Sequence, residues 1–119
     1  MSSAYIDLSY LNDFCKGDRA RMVRYIRLYL ETSPGVFAQL KEQIDAGDAE
    51  TLATVAHSLR PQATYMGARP ILDLLTAIEQ TARAEGAAAC ADLVQRLVPL
   101  CEKVNDELRA ALADRSTGS

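Results

Sequence analysis

Apolar and polar positions along most of the chain follow spacings of three and four residues, the period of helices that bury one face. Four long segments show this pattern, and no segment shows the two-residue alternation of a half-buried strand. The pattern therefore predicts four long helices and no sheet. The inward-facing positions are Met22, Ile26, Leu30, Ser33, Phe37, Leu40 and Ile44 in the first; Leu52, Val55, Ala56, Leu59, Ala63 and Met66 in the second; Ile71, Leu74, Leu75, Ile78 and Ala82 in the third; and Leu93, Leu97, Leu100, Val104, Leu108 and Ala111 in the fourth.

Capping residues, glycines and prolines indicate where these helices begin and end. Because the connections are short, consecutive helices must run antiparallel. The predicted fold class is all-α, an antiparallel up-down-up-down four-helix bundle with a short N-terminal cap helix that begins at Asp7 or Ser9. The long helices are expected from Asp18 to Gly47, from Asp48 to Gly67, from Pro70 to near Gly86, and from about Ala88 to Ala113.

The length fits a single domain over residues 1–119, with a core from about 6 to 113 and a disordered tail at 114–119. Pro34, Pro61 and Pro99 lie inside predicted helices, where each removes a backbone donor and predicts a kink. At Pro34 we expect Thr32 or Ser33 to satisfy the freed backbone groups.

The charge of the chain argues against nucleic acid as a partner. The formal net charge is −3 and the isoelectric point is near 5.1, whereas phosphate binding needs a concentrated positive surface. One local exception is a basic cluster where the helix dipole disfavours positive charge, which is either a solvated face or a surface for a partner. The cluster consists of Lys16, Arg19, Arg21, Arg24 and Arg27.

Cysteine content and hydropathy indicate a reducing compartment. Cys15, Cys90 and Cys101 are odd in number and widely spaced, so we expect reduced packing residues rather than disulfides or metal ligands. No stretch is apolar for long enough to cross a bilayer, and the N-terminus lacks the build of a secretory signal. We therefore expect a cytoplasmic protein that does not bind membranes.

His57 is the only histidine, and it falls roughly 150° from the centre of the apolar stripe of its helix. Pro61 and Thr64 share this outward side, and Arg60 follows one turn along. Imidazole is a nucleophile that is partly neutral at cellular pH, and an arginine can pair with phosphate oxygens in a bidentate way. Spacing alone does not distinguish this role from an ordinary surface histidine.

The run from His57 to Gly67, with Ala63 and Met66 between them, resembles the histidine-containing phosphotransfer (HPt) domains of phosphorelays. The family pattern is His, two positions, Lys, Gly, one position, Ser or Ala, two positions, an apolar residue and Gly. Further resemblances lie in the opening segment 6–11, in the proline of the long helix, and in the turn before the histidine helix. The matching residues are His57, Leu59, Ala63, Met66 and Gly67, together with Ile6-Asp7-Leu8-Ser9-Tyr10-Leu11, Pro34 and Asp45-Ala46-Gly47-Asp48.

The resemblance implies a phosphorelay carrier rather than an enzyme. His57 would accept a phosphoryl group from the aspartyl phosphate of a receiver domain and pass it to another receiver, with Arg60 stabilising the phosphoryl charge. The implied partners are response-regulator receivers and a hybrid sensor histidine kinase, the Mg²⁺ lies on the receiver, and the domain itself is a monomer without cofactors. A polar residue on the next helix often supports the histidine in this family, and Glu79 or Gln80, otherwise ordinary exposed positions, could fill that place. The expected docking positions are Pro61, Thr64, Gly67, Glu79 and Gln80.

Two positions depart from the family pattern. Arg60 replaces the usual lysine, which keeps the charge but changes the shape of the head group. Pro61 replaces the usual glycine, beside His57 on the same face of the helix. The proline fills space that the glycine leaves open and cannot donate to the carbonyl of His57, so we expect a kink at the histidine. Pro61 therefore either changes how His57 is presented, restricts which partners can dock, or reduces the phosphotransfer activity of the domain.

Other classes of protein agree less well with the sequence. The run His57-Ser58-Leu59-Arg60-Pro61 loosely resembles the phosphoacceptor box of dimeric histidine kinases, but Ser58 stands where an acidic residue normally follows the histidine. An HPt-like module that docks without being phosphorylated remains an alternative. A di-iron bundle needs Glu-x-x-His on two helices, which one histidine cannot provide, and a haem ligand should face the core.

Overall fold

The segments delimited by Asp18, Asp48 and the glycine turns form helices, as the sequence predicts, in a computed structural model that describes residues 5–117. Helices α2, α3, α4 and α5 form the bundle, in which α2 and α4 each pack against both α3 and α5. No strand occurs in the described part of the chain. The elements are α1 (Ser9–Phe14), α2 (Arg19–Ala46), α3 (Ala49–Tyr65), α4 (Arg69–Glu85), a short 3-10 helix (Ala88–Cys90) and α5 (Ala91–Thr117).

The predicted capping residues act as expected at the N-termini of α2 and α3 and at the C-terminus of α2. The side chains of Asp18 and Asp48 accept hydrogen bonds from the N–H groups of Arg21 and Thr51, at 3.2 and 3.0 Å. Gly47 ends α2 in the left-handed conformation, with φ of 70°. Helix α5 extends past its predicted end at Ala113 to Thr117, and the last two tail residues, 118–119, lie outside the described residues, as do residues 1–4.

The core lies between the four long helices and contains most of the predicted positions. Each long helix also has predicted positions that are only half-buried, and in α2 Tyr29 is fully buried in place of its neighbour Leu30. The half-buried predicted positions are Leu30, Phe37, Ile44, Val55, Leu74, Leu93, Leu100 and Ala111. All three cysteines are buried and free, as predicted. The fully buried large side chains are Leu11, Met22, Ile26, Tyr29, Leu40, Leu52, Leu59, Met66, Ile71, Leu75, Ile78 and Leu97.

The three internal prolines do not end their helices. Helices α2, α3 and α5 continue as α-helix across Pro34, Pro61 and Pro99. The predicted compensation at Pro34 is wrong. The Thr32 hydroxyl donates to the carbonyl of Leu28 at 2.9 Å, and Ser33 Oγ is buried without a hydrogen-bond partner among the described residues. The carbonyl freed by Pro34, four residues before it, is therefore served by neither side chain.

The N-terminal segment binds α5 and the α3–α4 turn through hydrogen bonds from its backbone N–H groups. The N–H groups of Tyr5 and Ile6 donate to Oε1 of Glu107 on α5, at 2.9 and 3.2 Å. The N–H of Asp7 donates to the carbonyl of Met66 at 3.2 Å, next to Gly67 in the α3–α4 turn. This segment therefore holds the turn that orients α3 against α4.

A search of the helices in the described residues finds none with the length and hydropathy needed to span a bilayer.

Candidate functional site

His57 lies on the outer side of α3 because the buried face of that helix is formed by Leu52, Ala56, Leu59 and Ala63. Its side chain is 61% exposed, as the helical wheel predicts. One ring nitrogen nevertheless faces the protein: Nδ1 lies 3.2 Å from both carboxylate oxygens of Glu79 on α4. No described residue hydrogen-bonds Nε2, so this nitrogen is available to another molecule.

Glu79 is the buried centre of the site. Only 8% of its side chain is exposed, and its two oxygens are shared among His57, Arg60 and Arg83. Burial raises the pKa of the Glu79 carboxyl, but the hydrogen bonds from these three side chains outweigh burial and hold the pKa below its ordinary value. Glu79 is therefore an ionised carboxylate beneath the imidazole.

The carboxylate determines which nitrogen of a neutral His57 carries the proton. An ionised carboxylate only accepts hydrogen bonds, so the Nδ1 facing Glu79 must be the protonated nitrogen. The lone pair of the neutral ring is then on Nε2, on the exposed side. The site thus presents an oriented nucleophile to solvent.

Two arginines from different helices bind the same carboxylate. Arg60 Nη1 lies 3.0 Å from Oε1 of Glu79, and Arg83 Nη1 contacts Oε2 from the next turn of α4. Arg60 is half-buried and Arg83 is exposed. The structure therefore brings the predicted cation to the histidine through Glu79 and adds a second cation that the sequence analysis missed.

The interpretation of Glu79 as an exposed position is wrong, because it lies on the edge of the α4 face that packs against the core. A signal was present in the sequence: Glu79 follows Leu75 by four residues and precedes Arg83 by four. A carboxylate near an inward-facing stripe needs a charged partner, and Arg83 stands at the spacing that provides one.

The other predicted docking positions are divided between surface and turn. Pro61, Thr64 and Gln80 are exposed, and Pro61 follows His57 by one turn on the outer side of α3. Gly67 lies in the α3–α4 turn with φ of 62°, and a Cβ there would stand 2.0 Å from the carbonyl oxygen of Asp7. Gly67 is thus required by the close approach of two backbone segments.

An aromatic patch, formed by Tyr10, Phe14, Tyr25 and Tyr65, lies at the C-terminal end of α3 and was not predicted. The ring centroids of Phe14 and Tyr65 are 4.8 Å apart, and those of Tyr25 and Tyr65 are 5.7 Å apart. Tyr10 and Phe14 are exposed. Because Tyr65 follows His57 by eight residues, the patch continues the outward stripe of the histidine.

Basic side chains border the aromatic patch. The guanidinium of Arg21 lies 6.0 Å from the ring centre of Phe14, and a shallow groove is lined by Arg21, Arg24, Tyr25 and Leu28. Among the side chains of residues 5–113, no carboxylate forms an ion pair with Arg19, Arg21, Arg24 or Arg27, and the first turn of α2 holds no acidic residue. The described residues contain no cluster of metal-ligating side chains.

Known proteins resemble this chain in family and in fold. The family model described as Hpt domain matches residues 24–116. A solved structure, the HPt domain from the Hpt sensor hybrid histidine kinase of Shewanella, has a similar fold, with a TM-score of 0.79 and 14% sequence identity over 92% of this chain and 94% of that chain. The comparison with curated proteins gave no match.

Proposed function

Because the chain belongs to the Hpt domain family, we propose that His57 accepts a phosphoryl group from the aspartyl phosphate of a receiver domain and passes it to another receiver. The observation that carries this proposal is the exposed imidazole whose Nδ1 contacts the buried Glu79 carboxylate at 3.2 Å. This contact leaves Nε2 as the nucleophile. Family membership supports phosphotransfer, and the direction between receivers belongs to the proposal.

The transfer step follows from the protonation state of the ring. The Nε2 lone pair attacks phosphorus in line with the bond to the aspartyl oxygen, that bond breaks, and its electron pair leaves on the aspartate as a carboxylate. The ring, still protonated at Nδ1, becomes an imidazolium that bears the phosphoryl group. The Glu79 carboxylate stabilises this new positive charge, and delivery to a second aspartate reverses the step.

The chain acts as a carrier in this scheme. It contributes a positioned nucleophile and nearby cations, and positioning with charge neutralisation provides most of the catalysis in phosphoryl transfer. We expect no cofactor on this domain, and the Mg²⁺ that phosphoryl transfer requires is expected on the receiver. Arg60 is the cation nearest the histidine on α3 and is assigned to the phosphoryl oxygens.

The proposed partners are response-regulator receivers and a hybrid sensor histidine kinase, with a monomeric domain. The basic residues of α2 and the aromatic patch suit a partner with an acidic surface around its phosphorylated aspartate, and this region continues the stripe of His57 and Pro61. Docking there would bring the aspartyl phosphate toward Nε2.

The second candidate function is docking without phosphorylation, favoured by one observation. Pro61 is exposed one turn from His57, and its ring occupies the face that a receiver must approach. If this ring prevents close approach, the domain binds a receiver but does not exchange phosphate with it.

The test of the proposed function is incubation with phosphorylated receivers of the source organism and, separately, with phosphoramidate as a small phosphodonor. We expect an acid-labile, base-stable label on the wild type and none on His57→Gln. Absence of label from every donor would refute phosphotransfer. Label from phosphoramidate alone, with transfer from receivers restored by Pro61→Gly, would assign the wild type to the docking function.

A further inference from the structure

Glu79 binds two guanidinium groups, of which only that of Arg60 belongs to the histidine helix. We propose that Arg60 leaves Glu79 for the phosphoryl oxygens when His57 is phosphorylated, and that Arg83 makes this exchange possible by remaining on Glu79. Arg83 is then a positioning residue for the transfer. This inference rests on the proposed function. It adds to that function a second cation, Arg83, and a movement of Arg60 from Glu79 to the phosphoryl group.

The resting position of Arg60 is on the wrong side of the ring for direct phosphate binding. Its Nη1 lies 3.0 Å from Oε1 of Glu79, and the same oxygen is 3.2 Å from Nδ1 of His57. The phosphoryl group forms on Nε2, at the opposite edge of the imidazole. Arg60 must therefore reorient to reach it, and its half-buried side chain at the i+3 position is long enough to do so.

The exchange would be unfavourable if Arg60 were the only charged partner of Glu79. Removing one partner from a buried ion pair leaves a poorly solvated charge, which is strongly destabilising. Glu79 is 8% exposed, so water replaces a lost guanidinium only in part. A second cation that stays on Glu79 throughout lowers the cost of this departure until the ring itself becomes positively charged.

Arg83 can serve as this second cation because of its location. It contacts Oε2, the oxygen that Arg60 does not use, and lies four residues after Glu79 on the same helix. Its contact therefore does not depend on α3 or on the phosphorylation state of His57. Its own side chain is 61% exposed, so solvent already covers most of it.

The number of charged donors to Glu79 is the same before and after the exchange. Before phosphorylation they are Arg60 and Arg83, with a neutral ring N–H as the third donor. After phosphorylation they are Arg83 and the imidazolium N–H, while Arg60 binds the new phosphoryl charge. The positive charge that forms on the ring thus takes the place of Arg60 at Oε1.

The experiment compares Arg83→Gln with Arg96→Gln, a matched control. Arg96 forms an exposed i,i+4 ion pair with Asp92 on α5, and its side chain is 64% exposed. With phosphoramidate as donor, we expect Arg83→Gln to slow labelling of His57 or shorten the lifetime of the phosphohistidine by about fivefold, the factor for one ordinary hydrogen bond, because the Arg83 side chain is largely exposed. Arg96→Gln should match the wild type, and Arg83→Lys should recover most of the wild-type labelling rate and phosphohistidine lifetime.

A double-mutant comparison separates positioning from a general loss of structure. If Arg83 acts through Arg60, Arg83→Gln has no further effect on labelling in the Arg60→Gln background. In ¹⁵N-arginine spectra, the Arg60 side-chain signal should shift on phosphorylation of the wild type, and that of Arg83 should shift less. Two results would overturn the exchange while leaving the proposed function intact, provided that the wild type is labelled. One is that Arg83→Gln and Arg96→Gln are labelled at the same rate and keep the label equally long. The other is that the effects of Arg60→Gln and Arg83→Gln on labelling are additive. No label on the wild type would refute the proposed function itself.

Discussion

At the scale of single residues, the helical wheel of α3 locates His57 and Arg60 correctly but does not reveal their shared partner. A wheel gives the direction of a side chain relative to its own helix, so it predicts the exposure of His57. It does not say which residue of a neighbouring helix lies opposite. That depends on the relative rotation and offset of α3 and α4, which side-chain packing determines. For this reason the wheel does not place Glu79, the residue that organises the site, beneath the histidine, and the family resemblance offers it only as one of two candidates, with Gln80.

Glu79 should contribute to stability in a pH-dependent way. Its pKa in the folded protein lies below the ordinary value of 4.5, so its contribution is complete above that pH and is lost as the pH falls through the folded-state pKa. We expect the wild type to lose more free energy of unfolding than Glu79→Gln between pH 5 and pH 2, in denaturant titrations at each pH. Asp48, whose pKa is also lowered, is present in both proteins and cancels in the difference. Parallel pH profiles would show that the carboxylate has no such role.

The close approach of the Asp7 backbone to Gly67 should make Gly67 sensitive to substitution. Gly67→Ala should destabilise the fold by about 3 kcal/mol or more, because a Cβ at this position meets the Asp7 backbone in addition to the cost of a positive φ. The control is Gly47→Ala, which has φ of 70° and no atom within 4 Å of the added Cβ. It should lose only about 1 to 2 kcal/mol. Equal losses in thermal unfolding would mean that the contact with Asp7 is not maintained in solution.

At the scale of helices, local capping chemistry predicts the boundaries well, whereas the buried face of α2 requires tertiary information. Asp18, Asp48 and Gly47 satisfy the ends of their own helices, so their effect can be inferred from neighbouring residues. Helix α2 packs against both α3 and α5, and its buried face is centred between the two. Tyr29 therefore enters the core in preference to Leu30, which the heptad-like spacing favours.

The buried hydroxyl of Ser33 should lower the stability of the buried face of α2. Ser33 Oγ is fully buried and has no hydrogen-bond partner among the described residues, and burial of an unsatisfied hydroxyl costs about 1 to 3 kcal/mol. Ser33→Ala should therefore raise the free energy of unfolding by about 1 kcal/mol in urea titrations. Ser58→Ala, which removes an exposed hydroxyl, should change it by less than about 0.5 kcal/mol. Destabilisation by Ser33→Ala would indicate that the hydroxyl is satisfied in solution.

At the scale of the whole molecule, the fold and the charge distribution carry different information. Four amphipathic helices with short connections allow few arrangements, so the bundle could be predicted from hydrophobic periodicity. A bundle does not specify a function, and the proposal of phosphotransfer depends on the local site and on family membership. The charge is unevenly distributed: the chain is acidic overall, with a net charge of −3, yet Arg19, Arg21, Arg24 and Arg27 of α2 have no carboxylate partner among the described side chains. We expect this polarity to orient a partner of opposite charge toward the side of the bundle that bears the aromatic patch.

The basic residues of α2 should therefore affect the rate of phosphotransfer from a receiver without affecting the chemistry at His57. Arg24→Glu is expected to slow phosphotransfer from a receiver several-fold at low salt, and the difference from wild type should shrink as ionic strength rises, because screening weakens exposed charges. The control is Arg96→Glu, which reverses an exposed arginine near the start of α5, about three turns before Glu107 and the N-terminal segment that it binds. Labelling by phosphoramidate, which needs no docking surface, should be the same in all three proteins. If Arg24→Glu also slowed labelling by phosphoramidate, the basic residues of α2 would act on the site itself, and if it slowed neither reaction, receivers would dock elsewhere on the bundle.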